Sequence, residues 1–348
     1  MTAVELRTLG RSGLLVSPFT LGAMTVGNDQ WGSDEATSGA VLDAYLAAGG
    51  NAVDTADVYS GGRSEEVLGR LLAARGLRDR VVLATKYGFN AGGGPLTGGA
   101  GRMNAVRALE GSLRRLGTDR VDLYWLHVWD DVTPAEEVLA TMVDLVRAGK
   151  TGHYGLSDVP AWFAVQVATL ARAHGVPAPV ALQLEYSLVA RSIEQEHVRA
   201  ARELGMGIVP WSPLAGGFLS GKYHPGQPAT AGRLSGPNPF GDTKDTPGNW
   251  AVLEVLRAVA DELGLPAAQV ALAWVLGRPG VDSVLVGART PEQARANLAA
   301  ADTVLPADAL ARLDRVSAPE LGFPYAIYTA AMTTAVITGG TPYRRLRG

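Results

Sequence analysis

The fold class the sequence predicts is α/β, a (β/α)8 or TIM barrel preceded by a β-hairpin, and three features point to it. Short apolar runs alternate with amphipathic stretches along the chain. One strand plus one helix recurs roughly every 30 residues. The length, 348 residues, exceeds the ~250 that eight such units need. The strand runs are Phe19–Gly22, Ala52–Asp54, Val81–Thr85, Val121–Leu126, Gly152–Leu156, Ala181–Glu185, Gly207–Trp211 and Ser283–Val286. They are mostly continuous rather than alternating, as parallel strands covered on both faces should be.

Helix ends are legible between them. Thr133-Pro134-Ala135-Glu136 reads as a cap, a first-turn proline and a capping-box partner, and that helix should stop at Gly149. Ser192 with Gln195, and Thr290-Pro291 with Gln293, repeat the signal. Gly117, Gly175, Gly205 and Gly264 mark helix ends. The surplus length falls in three places: a segment around Leu6–Val16, expected to form a hairpin over the barrel bottom with its turn at Gly10 to Gly13, a glycine-rich loop Gly88–Gly101, and a Pro/Gly-rich loop His224–Gly248. The expectation is one domain over 1–348, with both loops mobile and a tail from about 318. Alternation alone does not count strands, so an open doubly wound sheet is the rival. Such a sheet would usually bind a dinucleotide through Gly-x-Gly-x-x-Gly, which does not occur here.

Composition narrows the chemistry. The chain has no cysteine, which excludes thiol catalysis, disulfides and cysteine-bound metals. A net charge of -3 gives no footprint for nucleic acid, and pairs such as Arg114-Arg115 and Arg344-Arg345 read as solvated surface. No stretch approaches the ~20 apolar residues of a membrane span, and no signal-like apolar region opens the chain, so the expected location is the cytoplasm. The histidines His153, His174, His197 and His224 show no paired ligand spacing, and no metal is implied.

Polar residues at the carboxyl ends of barrel strands are candidates for catalysis. Asp54 closes Asn51-Ala52-Val53-Asp54, and Tyr59 follows in the loop. Lys86 ends the third run and His127 follows the fourth. Each alone reads equally well as a turn or packing residue; the joint arrangement on successive strands is harder to dismiss. A barrel enzyme using Lys86 as a Schiff base would want that lysine desolvated and unpaired, whereas Asp54 argues for pairing.

The segment Asn51-Ala52-Val53-Asp54-Thr55-Ala56-Asp57-Val58-Tyr59 resembles the aldo-keto reductase signature, and Ala84-Thr85-Lys86 and Leu126-His127 resemble that family's lysine and histidine segments. The resemblance runs from about Arg7 to about Asn297 and implies the barrel with its N-terminal hairpin. It further implies reduction of an aldehyde or ketone, with Tyr59 as proton donor, Lys86 tuning it, Asp54 holding Lys86, and His127 orienting the carbonyl. Cationic Lys86 would draw the Tyr59 pKa down toward neutrality.

The resemblance also implies an NADPH (NADP) site. Ser157 and Gln183 match residues that grip the nicotinamide carboxamide, while Asp158 stands where the family usually has asparagine. Trp211 falls where an aromatic ring stacks on the nicotinamide. Gly216–Tyr223 nearly spells a P-loop, but Tyr223 replaces the required Ser or Thr. A similar loop in the reductases covers the pyrophosphate, implicating Ser212, Leu214, Gly217 and Lys222. Past the eighth strand, Gly287 and Arg289 open a helix whose N-terminus suits the 2′-phosphate, with Gln293 and Asn297 toward the adenine. The substrate would be a small-molecule carbonyl compound, apolar or sugar-like, in a pocket drawn from Trp31, Tyr87, Phe89, Trp129, the Gly88–Gly101 loop and the tail. The segment Trp211–Lys222 is also similar to potassium-channel beta subunits, so a cofactor-binding regulatory or partner-binding subunit is the alternative. Oligomeric state is not readable from the sequence.

Overall fold

The computed structural model of the chain describes residues 4–28, 32–226 and 244–343. Trp31, most of the His224–Gly248 loop and the Arg344-Arg345 pair therefore lie outside the described residues. The chain divides into a unit of residues 1–317 and a second of residues 318–348.

In the first unit, β1 (Arg7–Thr8) and β2 (Leu15–Val16) form an antiparallel hairpin. Eight parallel strands follow: β3 (Phe19–Gly22), β4 (Ala52–Asp54), β5 (Val82–Tyr87), β6 (Val121–Leu126), β7 (Thr151–Ser157), β8 (Ala181–Glu185), β9 (Gly207–Trp211) and β10 (Val284–Val286). Their order is β10-β3-β4-β5-β6-β7-β8-β9, with β4 to β9 each beside its predecessor in sequence and β10 beside β3. The ring is drawn together by a parallel bridge from Ile208 to Val281, where Ile208 N donates to Gly280 O (2.8 Å) and Asp282 N to Ile208 O (3.1 Å). The barrel expectation holds and the open sheet does not.

The outer helices are α1 (Glu35–Ala47), α2 (Arg63–Ala74), α3 (Arg102–Leu116), α4 (Ala135–Arg147), α5 (Ala161–His174) and α6 (His197–Leu204). They continue with α7 (Pro247–Leu263), α8 (Ala267–Leu276), α9 (Pro291–Leu298) and α10 (Ala307–Val316). Gly117, Gly175, Gly205 and Gly264 end α3, α5, α6 and α7 in the left-handed conformation, as their positions foretold. Thr290 caps α9 by accepting from Gln293 N.

Two caps differ from the expectation. Pro134, not Thr133, is the N-cap of α4. The Thr133 hydroxyl donates to Asp130 Oδ2 (3.2 Å) and its N–H to Asp130 Oδ1 (2.6 Å), so the charged carboxylate draws the side chain away from the helix end. Ser192 opens only a short 3-10 turn, and α6 starts at His197. Glu194, which that turn carries, is taken up by Arg191 Nε (2.8 Å) and Tyr186 Oη (2.6 Å).

Strand parity divides the core in two. Outward residues such as Val53, Leu83, Tyr124 and Leu182 pack under the helices. Inward ones, Ala52, Ala84, Leu123, Trp125, Ala181 and Val209, fill the barrel with Leu9 and Val16 of the hairpin. The inner set is mostly small because Trp125 takes the space: a Cβ on Gly155 would lie 2.3 Å from its ring. Leu9 and Val16 are 1% and 3% exposed and plug the end where the strands begin. The hairpin turn fits as expected. Gly10 has φ 56°, its N–H donates to Asp282 Oδ2 (2.7 Å), and an added Cβ would lie 2.4 Å from Val180 O.

No single helix among the described residues is long and apolar enough to cross a membrane. The second unit contains a short 3-10 turn at Tyr325–Ile327 and α11 (Ala330–Thr338), capped by Thr329, which accepts from Met332 N, and ended by Gly339.

Gly10→Ala combines a left-handed backbone with a backbone collision and should cost about 3 kcal/mol in urea unfolding. A loss below ~0.5 kcal/mol would show that the turn is not seated against the strands.

Candidate active site

The mouth of the barrel is the next inward layer. Counting two residues up each strand from Ala52, Ala84, Trp125, Gly155, Ala181 and Val209 gives Asp54, Lys86, His127, Ser157, Gln183 and Trp211. The alternation that packs the interior thus gathers the polar strand ends into one cup. Tyr87, expected in the pocket, has the opposite parity. It is fully buried outside the strands, stacked on Tyr124 at 5.0 Å and bonded to Ala100 O.

Lys86 has no exposed surface and pairs directly with Asp54, which is 1% exposed. Its ammonium also donates to Thr55 O (2.9 Å) and Tyr59 Oη (3.2 Å), so all three of its hydrogens have acceptors. Gln183 Nε2 donates to the other Asp54 oxygen at 3.2 Å. Burial alone would push the lysine pKa down, but Asp54 and Tyr59 beside it raise it above the usual value. Lys86 is a fixed cation, which removes the Schiff-base alternative.

Tyr59 follows β4 at the start of a 3-10 turn in which Ser60 has φ 50°. Its ring meets His127 edge-on at 5.7 Å, and Phe89 meets the other side of that imidazole at 4.8 Å. The expected fall in the Tyr59 pKa is not found. Desolvation outweighs the attraction of Lys86 and holds the phenol above 10.0. Burial, and then Lys86, keep the His127 pKa well below 6.5, so the imidazole is neutral at pH 7. Its Nδ1 is buried with no partner among the described residues.

Across the cup, Trp211 Nε1 donates to Asp158 Oδ1 at 2.9 Å. Asp158 opens to solvent in the concave mouth but is walled by protein, which lifts its carboxyl to about 6. Ser157 Oγ is buried without a partner among the described residues, next to Gln183 in strand register. A buried hydroxyl left unsatisfied is costly. An amide-bearing planar group laid against Trp211 would satisfy it, so the residues present fit a nicotinamide.

The turn after β9 fits the rest of a dinucleotide. Ser212, Ala215, Gly216 and Gly217 all have positive φ, between 50° and 92°. Ser212 Oγ accepts from Gly216 N (3.1 Å), half-buried Leu214 anchors the turn on the core, and Lys222 Nζ would lie 3.4 Å from a Cβ on Gly217. The N–H groups of Ala215, Gly216 and Gly217 are taken up inside the turn by Ser212 O (2.8 Å), Ser212 Oγ (3.1 Å) and Leu214 O (2.9 Å), so the charge the turn offers an anion is the ammonium of Lys222. Past β10, Gly287 and Arg289 are exposed ahead of α9, and Arg289 has no ion-pair partner among the described residues. Gln293 Oε1 accepts from Arg289 N (2.9 Å) and Asn297 Nδ2 donates to Gly287 O (3.2 Å), so both side chains brace this loop.

Several supports escaped the sequence reading. Ser33 Oγ donates to Arg289 O (3.2 Å), tying the loop after β3 to the one after β10. Asp130 Oδ2 accepts from Ala100 N (2.6 Å), fixing the glycine-rich loop that carries Phe89. Fully buried Glu65 takes Thr85 Oγ1 (2.6 Å) and Arg115 Nε (2.6 Å) directly behind Lys86. These pairs are 20 to 256 residues apart, beyond any local pattern. The four non-glycine residues with positive φ among those described, Ser60, Asp158, Ser212 and Ala215, all border the cup. Strain gathered at one place is a mark of function.

Comparison with known proteins agrees with this geometry. A family profile described as the aldo/keto reductase family matches residues 18–318. An uncharacterized oxidoreductase of Bacillus subtilis, YrpG, is 36% identical, over 90% of this chain and 96% of its own length. A probable voltage-gated potassium channel subunit beta of Oryza sativa is 35% identical, over 86% and 92%. An aryl-alcohol dehydrogenase of Pestalotiopsis microspora is 33% identical, over 91% and 85%. With the barrel, the polar cup at its mouth and a match over nearly its whole first unit, the chain belongs to the aldo/keto reductase family of oxidoreductases.

Proposed function

We propose that the chain is a cytoplasmic, NADPH-dependent reductase of aldehydes or ketones, with Tyr59 as the general acid. The observation that carries this reading is Tyr59 Oη at 3.2 Å from the ammonium of Lys86, which Asp54 holds in turn. When bound, the dihydronicotinamide supplies a hydride. The chain's own groups answer the charge that appears on the carbonyl oxygen. Tyr59, protonated at neutral pH, gives that oxygen its proton. Lys86 then faces the phenolate left behind, and Asp54 keeps the ammonium from drifting into the cup. Neutral His127 orients the carbonyl by donating a hydrogen bond without competing as an acid. Ser157 Oγ and Gln183 seat the carboxamide against Trp211, and Lys222 and the Ser212–Gly217 turn hold the pyrophosphate. The open guanidinium of Arg289 serves the 2′-phosphate, with Gln293 and Asn297 keeping its loop in shape. The potassium-channel relatives favour a second reading, a cofactor-binding partner subunit. The complete set of four catalytic groups favours turnover.

Tyr59→Phe should lower kcat for carbonyl reduction by ~10³-fold, the scale of a lost general acid, with the NADPH dissociation constant changed less than ~2-fold. Wild-type turnover by this variant would refute the assignment; NADPH binding with no turnover of aldehydes, ketones or keto-sugars by the wild type would favour the partner subunit. Because Tyr59 titrates above 10.0 and His127 well below 6.5, kcat for reduction should stay flat from pH 7 to 9. Alcohol oxidation, which needs the phenolate, should rise with pH over the same interval. A reduction rate that falls between pH 7 and 8 would mean a different acid. Arg289→Ala should raise KM for NADPH by about 10- to 100-fold and leave KM for NADH unchanged, since a charge-assisted bond to phosphate contributes about 1.5–3 kcal/mol. Equal effects on both cofactors would remove Arg289 from the 2′-phosphate site.

A further inference from the structure

One carboxylate in the cup has no part in the proton transfer. Asp158 follows β7 in a strained conformation, φ 46°, that only a well-braced residue keeps. The bracing is on the page. Its N–H donates to Gln183 O (3.2 Å), its carbonyl accepts from Trp129 N (3.4 Å), and Oδ1 accepts from Trp211 Nε1 (2.9 Å). The carboxylate therefore points at the ring wall of the cup, and its charge reaches across it. Asp158 contributes to raising the Tyr59 pKa, and Lys86 draws Asp158 down. The other charge bearing on it is Glu185 at the end of β8, which opposes ionisation and is itself paired with Lys244 at 3.1 Å.

The redox step develops a positive charge at this place. The hydride carries two electrons from C4 of the dihydronicotinamide to the carbonyl carbon. The carbonyl π pair moves onto oxygen and takes the proton from Tyr59. The ring that began neutral ends with one positive charge. Reacting atoms must come within ~3–3.5 Å of each other. With the carbonyl oxygen at Tyr59, a nicotinamide held by Ser157 and Gln183 would face that tyrosine from the ends of β7 to β9. There Ser157 Oγ lacks a partner among the described residues and Asp158 is open to solvent. A ring held there would cover the carboxylate, remove water from it and strengthen its field.

Resting on the cofactor reading above, we propose that Asp158 is the counter-charge to the nicotinamide: it makes the site hold the oxidised, cationic ring more tightly than the neutral reduced one, and so assists hydride departure. An asparagine has the same shape and can still accept from Trp211 Nε1, but carries no charge. The ionisation of Asp158 near pH 6 then makes the preference depend on pH, with the carboxylate charged above that range and lost below it.

The test is calorimetric titration of the full chain and of Asp158→Asn with NADP+ and with NADPH from pH 5 to 8, read as the ratio Kd(NADPH)/Kd(NADP+). The ratio cancels the 2′-phosphate, which itself titrates near about 6 and is common to both ligands. At pH 8 the ratio should be about tenfold higher in the wild type than in the variant, the effect of one opposite charge nearby. It should fall toward the variant's value as the pH drops through about 6, while the variant's ratio stays flat. Equal ratios at pH 8, or a wild-type ratio that does not move with pH, would overturn the proposal and leave the reductase reading standing. Failure of the wild type to bind either nucleotide would instead overturn that reading. Should Asp158→Asn lose its cooperative melt, the wild-type pH series decides alone.

Discussion

A lysine with no exposed surface in the throat of a barrel can stay charged only beside a partner, and the Lys86–Asp54 pair is the contact on which the cup depends. Removing either member would leave a lone buried charge at a cost of about 3–5 kcal/mol. The pair exists because β4 and β5 are neighbours with Asp54 level with Ala84, two residues below Lys86. It has room because the layer below is small: Ala52, Ala84, Gly155 and Ala181 leave the centre to the Trp125 ring. Tyr59 lies in a strained turn outside the sheet, and the ammonium is the hydrogen-bond donor that holds its hydroxyl.

From that pair the electrostatics of the site are graded. On the Lys86 side, a fixed positive charge and a neutral imidazole flank a phenol kept protonated by burial. Across the cup, Asp158 carries a carboxylate bonded to Trp211. The turn after β9, closed by its own hydrogen bonds, carries Lys222 on a further side of the mouth. The cation, the carboxylate and the lysine-bearing turn therefore sit at different strand ends of one barrel, as the parallel topology allows.

Much of this was legible in the residues. The eight strands fall on the expected runs, with edges shifted by a residue or two, because a strand buried on both faces must be apolar throughout. The hairpin and four glycine helix ends were equally plain. What failed was competition that one segment cannot reveal. Thr133 loses its cap to Asp130, and Tyr87 belongs to the helix layer because it sits one residue beyond the inward Lys86. The expected acidic shift of Tyr59 fails because desolvation depends on everything packed around the ring, whereas the sequence shows only that a cation is at hand.

The sequence by itself marked the eight apolar runs and placed Asp54, Lys86 and His127 at strand ends with Tyr59 in the loop after one of them, since apolar runs and turn residues are local properties. The closure of those runs into a barrel came from the structure. Only the tertiary structure decided which of these groups are charged. It also decided that Glu65 and Arg115 stand behind Lys86, that Ser33 ties down the Arg289 loop, and that Asp158 grips Trp211. Burial and partnership are set by chains of atoms that meet only when the barrel closes, and no spacing along the chain encodes them.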